Sequence, residues 1–339
     1  MAVPQINIAI AGLGRIGQVH LQTLKTLSHR VNLVAVCDTD PLSAAPHVDA
    51  PYQHYHDYQQ MLGSHRIDAI IIATPTPTHY DMIELAFSRG IHILCEKPLA
   101  PTLPQIKALH QFSERSKLKL QIGFNRRFDP NFAAIHRGIT EGKIGDVHVI
   151  KVTSRDPAPP SREYLEASGG IFHDMTIHDI DMCRYMAAAE VTEVYARGAV
   201  RIDEAFAEVG DVDTAVVHLS FADGTMAIID NSRQASYGYD QRLEVFGSAG
   251  MLQAQNNTQH NTQLYTQDGL HGSPLFDFFM DRYPSSFVAE VEAFVDAIIE
   301  KTDVLISAED AYYATAIATA CVLSLKENRV VKMSEVIGG

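Results

Sequence analysis

Ile6-Asn7-Ile8-Ala9-Ile10-Ala11-Gly12-Leu13-Gly14-Arg15-Ile16-Gly17 decides the fold of this chain. Its first six residues read as a buried strand, and residues 18–26 carry the apolar spacing of a helix. Between them stands G-x-G-x-x-G. The first glycine permits a tight turn, the second lets the backbone approach a pyrophosphate, and the third allows helix and strand to pack closely. The helix N-terminus adds free N–H groups and the positive end of its dipole. A glycine-rich turn with no ligand has the same spacing, so context must separate the two. The strand-turn-helix order is present, and Asp38 lies 21 residues beyond Gly17, at the end of the next apolar run. A carboxylate there accepts from both ribose hydroxyls of NAD and repels a 2′-phosphate, and Thr39-Asp40 offers no basic replacement, so NAD is favoured over NADP. Gly12, Gly14, Arg15, Ile16, Gly17 and Asp38 are the candidate cofactor contacts of this stretch.

Outward from it, apolar β-branched runs at 31–37, 69–73, 91–95 and 118–122 alternate with helical stretches. Near-continuous apolar strands separated by helices predict a parallel sheet covered on both faces, a doubly wound Rossmann α/β domain. After residue 123 the strands at 147–153, 194–200, 215–221, 226–231 and 243–246 have fewer helices between them, which predicts a second, α+β domain with a mostly antiparallel sheet. Asp223-Gly224 between two of these runs signals a hairpin. Helical spacing recurs at 287–299, and residues 308–325 read as a long Ala-rich helix. The domains divide as 1–122 and 123–339, with the C-terminal helix free to pack back on the first. The Asn-, Gln- and Thr-rich residues 253–267 read as an exposed loop or edge.

With 339 residues, 46% of them hydrophobic, the chain can bury one large core or two ordinary ones. A net charge of −14 disfavours nucleic acid and anionic lipid as partners. No apolar run approaches the ~20 residues of a membrane span, and the short run at 6–11 has no basic leader, so a cytoplasmic location is expected. Cys37, Cys95, Cys183 and Cys321 are widely spaced, which fits reduced thiols rather than a disulfide framework or a zinc ribbon.

Two further segments follow strands of the first domain and therefore emerge at the carboxyl edge of its sheet, the usual place for ligand contacts. Ala73-Thr74-Pro75-Thr76-Pro77-Thr78-His79 is one, with a Pro-stiffened turn as its plain alternative; Glu96-Lys97-Pro98 is the other, where a solvated lysine is the plain alternative. In the second domain, Gly169-Gly170-Ile171-Phe172-His173-Asp174-Met175-Thr176-Ile177-His178-Asp179-Ile180-Asp181 places Asp174 and His178 four apart. On an α-helix that spacing shares a face, where the carboxylate would orient the imidazole or stabilise its charge. A structural helix cap with an incidental histidine is one alternative. A metal site of His173, Asp174 and His178 is another, weakened because positions five apart on an α-helix face different ways.

Taken together, G-L-G-R-I-G, A-T-P-T-P-T-H, C-E-K-P and G-G-x-x-x-D-x-x-x-H-D resemble the glucose-fructose oxidoreductase and inositol dehydrogenase family over nearly the whole chain. The resemblance implies an NAD-binding Rossmann domain, a C-terminal open-faced sheet used for oligomer contacts, and a homotetramer. It also implies a catalytic set of Lys97, Asp174 and His178. Thr74, Thr76, His79, Glu96 and Lys97 join the implied cofactor contacts. Likeness of the segments at 123–129, 154–160 and 231–240 makes Arg127, Asp156, Asp181 and Tyr237 the implied contacts to a cyclic polyol, whose every hydroxyl needs a partner on leaving water; for Arg and Asp an interdomain ion pair is the alternative. The implied reaction is NAD-dependent oxidation of myo-inositol to the 2-keto inositol, with no metal required. A scyllo-inositol or pyranose dehydrogenase is the first rival, and a non-catalytic, NAD-binding sugar sensor the second.

Overall fold

A computed structural model describes residues 5–43 and 50–338. In chain order the elements begin β1 (Ile6–Ala11), α1 (Arg15–Thr26), β2 (Val31–Cys37), β3 (Gln53–Tyr55), α2 (Tyr58–Ser64), β4 (Ala69–Ile72), α3 (His79–Ser88), β5 (His92–Cys95), α4 (Leu103–Ser116) and β6 (Leu120–Ile122). There follow α5 (Pro130–Thr140), β7 (Val147–Arg155), α6 (Arg162–Ala167), a π turn (Phe172–Thr176) running into α7 (Ile177–Ala187), β8 (Val191–Ala199) and α8 (Ala205–Glu208). The remainder is β9 (Thr214–Phe221), β10 (Met226–Ser232), β11 (Asp240–Gly247), β12 (Gly250–Ala254), β13 (Gln263–Thr266), β14 (Gly269–Gly272), α9 (Phe279–Arg282), α10 (Pro284–Glu300), α11 (Ala308–Glu327), β15 (Val331–Lys332) and α12 (Ser334–Ile337).

These elements form two compact units. The first takes the residues up to Phe128 together with Pro284–Tyr313; the second takes Asp129–Tyr283 and Ala314 onward. A single cut after residue 122 does not describe this partition, because α10 belongs with the first unit.

The first unit holds a six-stranded parallel sheet in the order β3-β2-β1-β4-β5-β6. β1 lies between β2 and β4, so the order reverses beside it, and the crevice at its carboxyl end is where open α/β sheets bind ligands. Ile8 and Ile10 of β1, Ile71 of β4 and Leu94 of β5 pack with Leu21 and Leu24 of α1 and with Val291, Phe294 and Val295 of α10. α10 earns its place through this apolar face, which no local pattern assigns to one sheet rather than another. The predicted strands 31–37 and 6–11 are matched residue for residue. The three-residue β3 was too short to show a period.

The second unit holds a seven-stranded sheet, β12-β11-β7-β10-β9-β8-β15, antiparallel except where β10 runs parallel to β7. Alternation settles its faces. Ile150, Val152, Val217, Leu219, Ala227, Ile229, Leu243 and Val245 are buried, and α7 lies against β7 and β10. The intervening residues Val216, Met226, Ile228, Phe246 and Met251 stand exposed on the other face. The hairpin at Asp223-Gly224 is as expected: Gly224 takes φ +93°, and Asp223 Oδ1 accepts from the Thr225 N–H. Residues 253–267 resolve into the end of β12 and strand β13, which pairs with β14 in an exposed hairpin. All four cysteines are buried and unbridged, and no helix among the described residues is long and apolar enough to cross a membrane.

Candidate active site

The glycines after β1 differ in what surrounds them. Gly12 takes φ +91°, and a Cβ there would sit 2.5 Å from the Ala73 carbonyl oxygen; a Cβ on Gly17 would sit 2.0 Å from the Gly12 oxygen. Both positions exclude any side chain. A Cβ on Gly14 meets nothing within 4 Å. The second glycine thus opens outward at the start of α1, leaving the space a pyrophosphate needs beside free N–H groups. Arg15 is exposed next to it.

Asp38 Oδ2 accepts from the Leu13 N–H at 2.7 Å and Oδ1 from the Asp40 N–H at 2.9 Å, so the carboxylate is fixed against the glycine turn. A carboxylate has about four acceptor directions, and half of them remain for ribose hydroxyls. The cradle therefore fits a dinucleotide on its own geometry.

Thr74 and Thr78 share a hydroxyl–hydroxyl bond of 2.7 Å at the entry to α3, and Thr76 lies half-buried in the intervening turn. His79 and Glu96, implied cofactor contacts, are turned inward. The His79 ring nitrogens lie 2.9 Å from the Pro98 oxygen and 2.8 Å from the Thr74 oxygen, and burial lowers its pKa. The ring clamps the loop after β4 to the loop after β5. Glu96 Oε1 is 2.7 Å from Nε2 of buried His20. Each is held by protein groups that tie together the loops around the cradle. Lys97, between them in the chain, is half-buried and precedes a cis peptide to Pro98.

Arg127 is likewise engaged by protein groups. Its Nη2 donates to Asp310 Oδ1 at 2.8 Å, and Asp310 Oδ2 accepts from the Ser307 N–H at the start of α11. This nearly buried guanidinium is thus engaged in an ion pair inside the first unit, not the interdomain pair expected as its alternative.

In the second unit Gly169 and Gly170 take φ of +81° and +84°, and the Asp211 carboxylate accepts from the Ile171 N–H at 3.1 Å, starting the helix. Its first turn is π-helical, bonded i→i+5, a form frequent at functional sites. A wider turn brings residues four and five apart toward one face, so the α-helical reason for separating His173 from His178 does not hold here. No group of three or more His, Cys, Asp or Glu placed to hold a metal occurs among the described residues.

Asp174 accepts from the Tyr164 hydroxyl at 2.7 Å and from Arg233 Nη2 at 2.9 Å, while Arg233 Nη1 reaches Asp156 Oδ2 at 3.3 Å. Arg233 is only 3% exposed. Burial opposes its charge, but Asp174 and Asp156 outweigh this and hold its pKa up. The guanidinium thereby joins two of the expected site residues. One turn further on, Asn231 of β10 donates to Asp179 at 2.8 Å and accepts from Thr176 at 2.6 Å, pinning the π turn and α7 to the sheet.

Asp181 is fully buried (0% exposed). Tyr237 is 52% exposed, and its hydroxyl donates to Asp240 at 2.6 Å and accepts from Arg155 at 2.9 Å. Sequence reasoning missed Tyr164 and Arg233. Arg233 stands within the segment 231–240 that carried the family likeness, and an arginine amid acidic candidates was the available signal.

Residues 6–124 match the model of the oxidoreductase family with an NAD-binding Rossmann fold, and residues 132–253 match the GFO/IDH/MocA C-terminal domain. The chain belongs to the GFO/IDH/MocA oxidoreductase family. Among GFO/IDH/MocA relatives, a myo-inositol 2-dehydrogenase of Thermotoga maritima is 40% identical over 98% of this chain and 100% of its own length. An inositol 2-dehydrogenase of Rhizobium meliloti is 41% identical over 97% of this chain and 99% of its own. The crystal structure of a Lactobacillus casei scyllo-inositol dehydrogenase with bound NAD(H) and scyllo-inositol superposes with a TM-score of 0.92 at 31% identity, covering 98% of this chain and 100% of that one. The first unit is the family's Rossmann domain, and NAD is its cofactor.

Proposed function

We propose that this GFO/IDH/MocA protein is an NAD-dependent dehydrogenase that oxidises the secondary alcohol of a cyclic polyol, myo-inositol, to the 2-keto inositol. The observation that carries this reading is likeness to inositol 2-dehydrogenases at about 40% identity through both units, over nearly the whole of each chain. When bound, NAD supplies a nicotinamide that accepts the hydride. The protein's part is to remove the hydroxyl proton and stabilise the oxygen. His178 is assigned as the base that takes the proton, a role worth roughly 10²- to 10⁴-fold. Lys97 donates a hydrogen bond to the reacting oxygen as alkoxide charge develops. Asp174, held by Tyr164 and Arg233, orients His178. Arg127, Asp156, Asp181 and Tyr237 are the candidates for ring hydroxyls.

Steady-state rates with myo-inositol, scyllo-inositol, glucose, a linear polyol and lactate, each with NAD and with NADP, test this reading. Myo-inositol with NAD should give the highest kcat/KM. Glucose should be poor and lactate inactive, because missing hydroxyls leave buried polar groups unpaired. Asp38→Ala should narrow the NAD preference mainly by weakening NAD. A lactate-type substrate outperforming every inositol would overturn the assignment, whereas preference for scyllo-inositol would correct its stereochemistry.

The domain roles follow the same reading: cofactor on the first unit, substrate and assembly on the second. The exposed apolar row Val216, Met226, Ile228, Phe246 and Met251 suits burial against further copies in a homotetramer. Light scattering should give a multiple of 37.4 kDa; monomer alone at micromolar concentration counts against it. Four buried thiols suit a cytoplasmic setting.

A further inference from the structure

Buried polar side chains of four elements gather in the first unit around the His20–Glu96 bond and the Gln121–Glu290 bond, outside the dinucleotide cradle. His20 of α1, Gln121 of β6 and Ser286 and Glu290 of α10 are all fully buried, and Glu96 nearly so. The His20–Glu96 bond of 2.7 Å links α1, whose first turn carries the Gly14 opening, to the residue preceding Lys97. Gln121 Nε2 donates to the Glu290 main-chain oxygen at 2.9 Å, and the Phe287 ring stands edge-on to the His20 ring with centroids 5.7 Å apart. Gly123 makes room for this arrangement, since a Cβ there would lie 2.8 Å from Glu96 Oε2.

Within this packing, His20 Nδ1, Gln121 Oε1, Ser286 Oγ and both Glu290 carboxyl oxygens have no hydrogen-bond partner among the described residues. Buried polar atoms are as a rule satisfied, and a site walled by several of them is suited to internal water, which takes about two to four polar partners. Burial, and after it the charge of Glu96, pushes the Glu290 carboxyl well above the usual carboxylate range. A carboxyl so raised is biased toward its protonated form, whose O–H suits a cluster rich in acceptors. The titratable groups facing it are His20 from α1, Glu96 from the loop after β5 and Glu290 from α10. Cys95 of β5 and His79 of α3 also feel the Glu96 charge; β6 contributes the uncharged Gln121.

We propose that His20 and Glu290 are positioning residues for Lys97: through internal water they share a proton network with Glu96 that holds the Glu96-Lys97-Pro98 loop to the dinucleotide-binding helix. This rests on the reading of Lys97 as the group at the reacting oxygen. Dinucleotide contact at one end of α1 and lysine placement at the other side of a buried hydrogen bond are then mechanically joined.

Infrared spectra, thermal melts and kinetics of the full chain test it. The wild type at pH 7 should show a protonated-carboxyl C=O band that Glu290→Gln lacks. The folded state keeps a proton on Glu290 that the unfolded chain releases above the ordinary glutamate pKa, so wild-type stability is lost as pH rises from there toward the raised value. Glu290→Gln escapes this loss, and its Tm advantage over wild type should widen by about 2–4 °C between pH 5 and pH 8. His20→Leu should lower kcat about 10-fold or more and alter the pH profile of kcat, with the Kd for NAD within about 3-fold. His20→Gln, whose amide can donate to Glu96, should recover most of kcat.

Absence of the band, or a Tm difference constant with pH, overturns the proton network. A His20→Leu enzyme with wild-type kcat and pH profile, or no recovery in His20→Gln, overturns the positioning role. If the wild type oxidises no cyclic polyol, the reading of the reaction fails separately, and the infrared and melting results still decide the network.

Discussion

Lys97→Met and His178→Ala each lower kcat by about 10²- to 10⁴-fold, while the Kd for NAD changes by no more than about 3-fold. The reason is where each acts. In the proposed reading the dinucleotide is held by the Gly14 opening at the start of α1 and by Asp38, whose carboxylate is fixed by the Leu13 and Asp40 N–H groups. His178 lies outside that set, and Lys97, though also an implied cofactor contact, is not part of the pyrophosphate and ribose cradle. In the proposed mechanism both act on the reacting oxygen, whose charge and proton change only on the way to the transition state, so their loss should fall on kcat rather than on binding. Pre-steady-state hydride transfer, with NAD affinity measured by fluorescence titration, separates the two quantities. Full activity in either variant with NAD binding intact removes that residue from the mechanism.

Arg233→Met has the second large effect, on stability and turnover together. The side chain is 3% exposed and stands between Asp174 at 2.9 Å and Asp156 at 3.3 Å. Methionine keeps much of the length and apolar contact but leaves two largely buried carboxylates without their cation. Breaking a buried pair in this way costs about 3–5 kcal/mol, because the stranded charge loses its compensation. Tm should fall by roughly 10 °C. Turnover should fall as well, since Asp174 loses the guanidinium donor that, with the Tyr164 hydroxyl, helps fix it. Arg233→Lys should not restore either property fully, because one ammonium cannot reproduce a planar fork spanning two carboxylates. Adding Asp156→Asn to Arg233→Met should recover part of the lost Tm, a non-additivity expected of groups in one network. A melting temperature and kcat unchanged in Arg233→Met would show that the network contributes to neither.

Much of this protein was legible because the relevant physics is local. A tight turn followed by a close helix–strand approach admits only glycine at Gly12 and Gly17, so the turn announces itself in the residues. Buried parallel strands have to be apolar throughout, which exposes β1, β2, β4 and β5 without a partner being known. Asp223-Gly224 carries its own hairpin, since the positive φ at Gly224 and the Asp223 side-chain bond are properties of the turn itself. The likeness to inositol dehydrogenases likewise rests on short motifs with fixed spacing, and the full-length relatives agree with it.

What distance along the chain conceals was decided by tertiary structure. Arg127 and Asp310 are 183 residues apart, and an arginine held in an ion pair has the same letter as one that binds a polyol. Asp181 reads as polar and therefore available, yet α7 and its surroundings bury it completely. The π turn at Phe172–Thr176 changes which residues share a face, and its hydrogen-bond register leaves no mark in the spacing of Asp174 and His178. His79 and Glu96 sit in the expected loops but turn inward to Thr74, Pro98 and His20. Sequence alone determined the sheet, the dinucleotide turn and the set of candidate residues, because sterics and burial act on near neighbours. Which candidates keep free oxygen and nitrogen atoms, and which are consumed by Arg233, Asp310 or His20, only the folded chain decides, because a hydrogen bond depends on distances that chain order does not record.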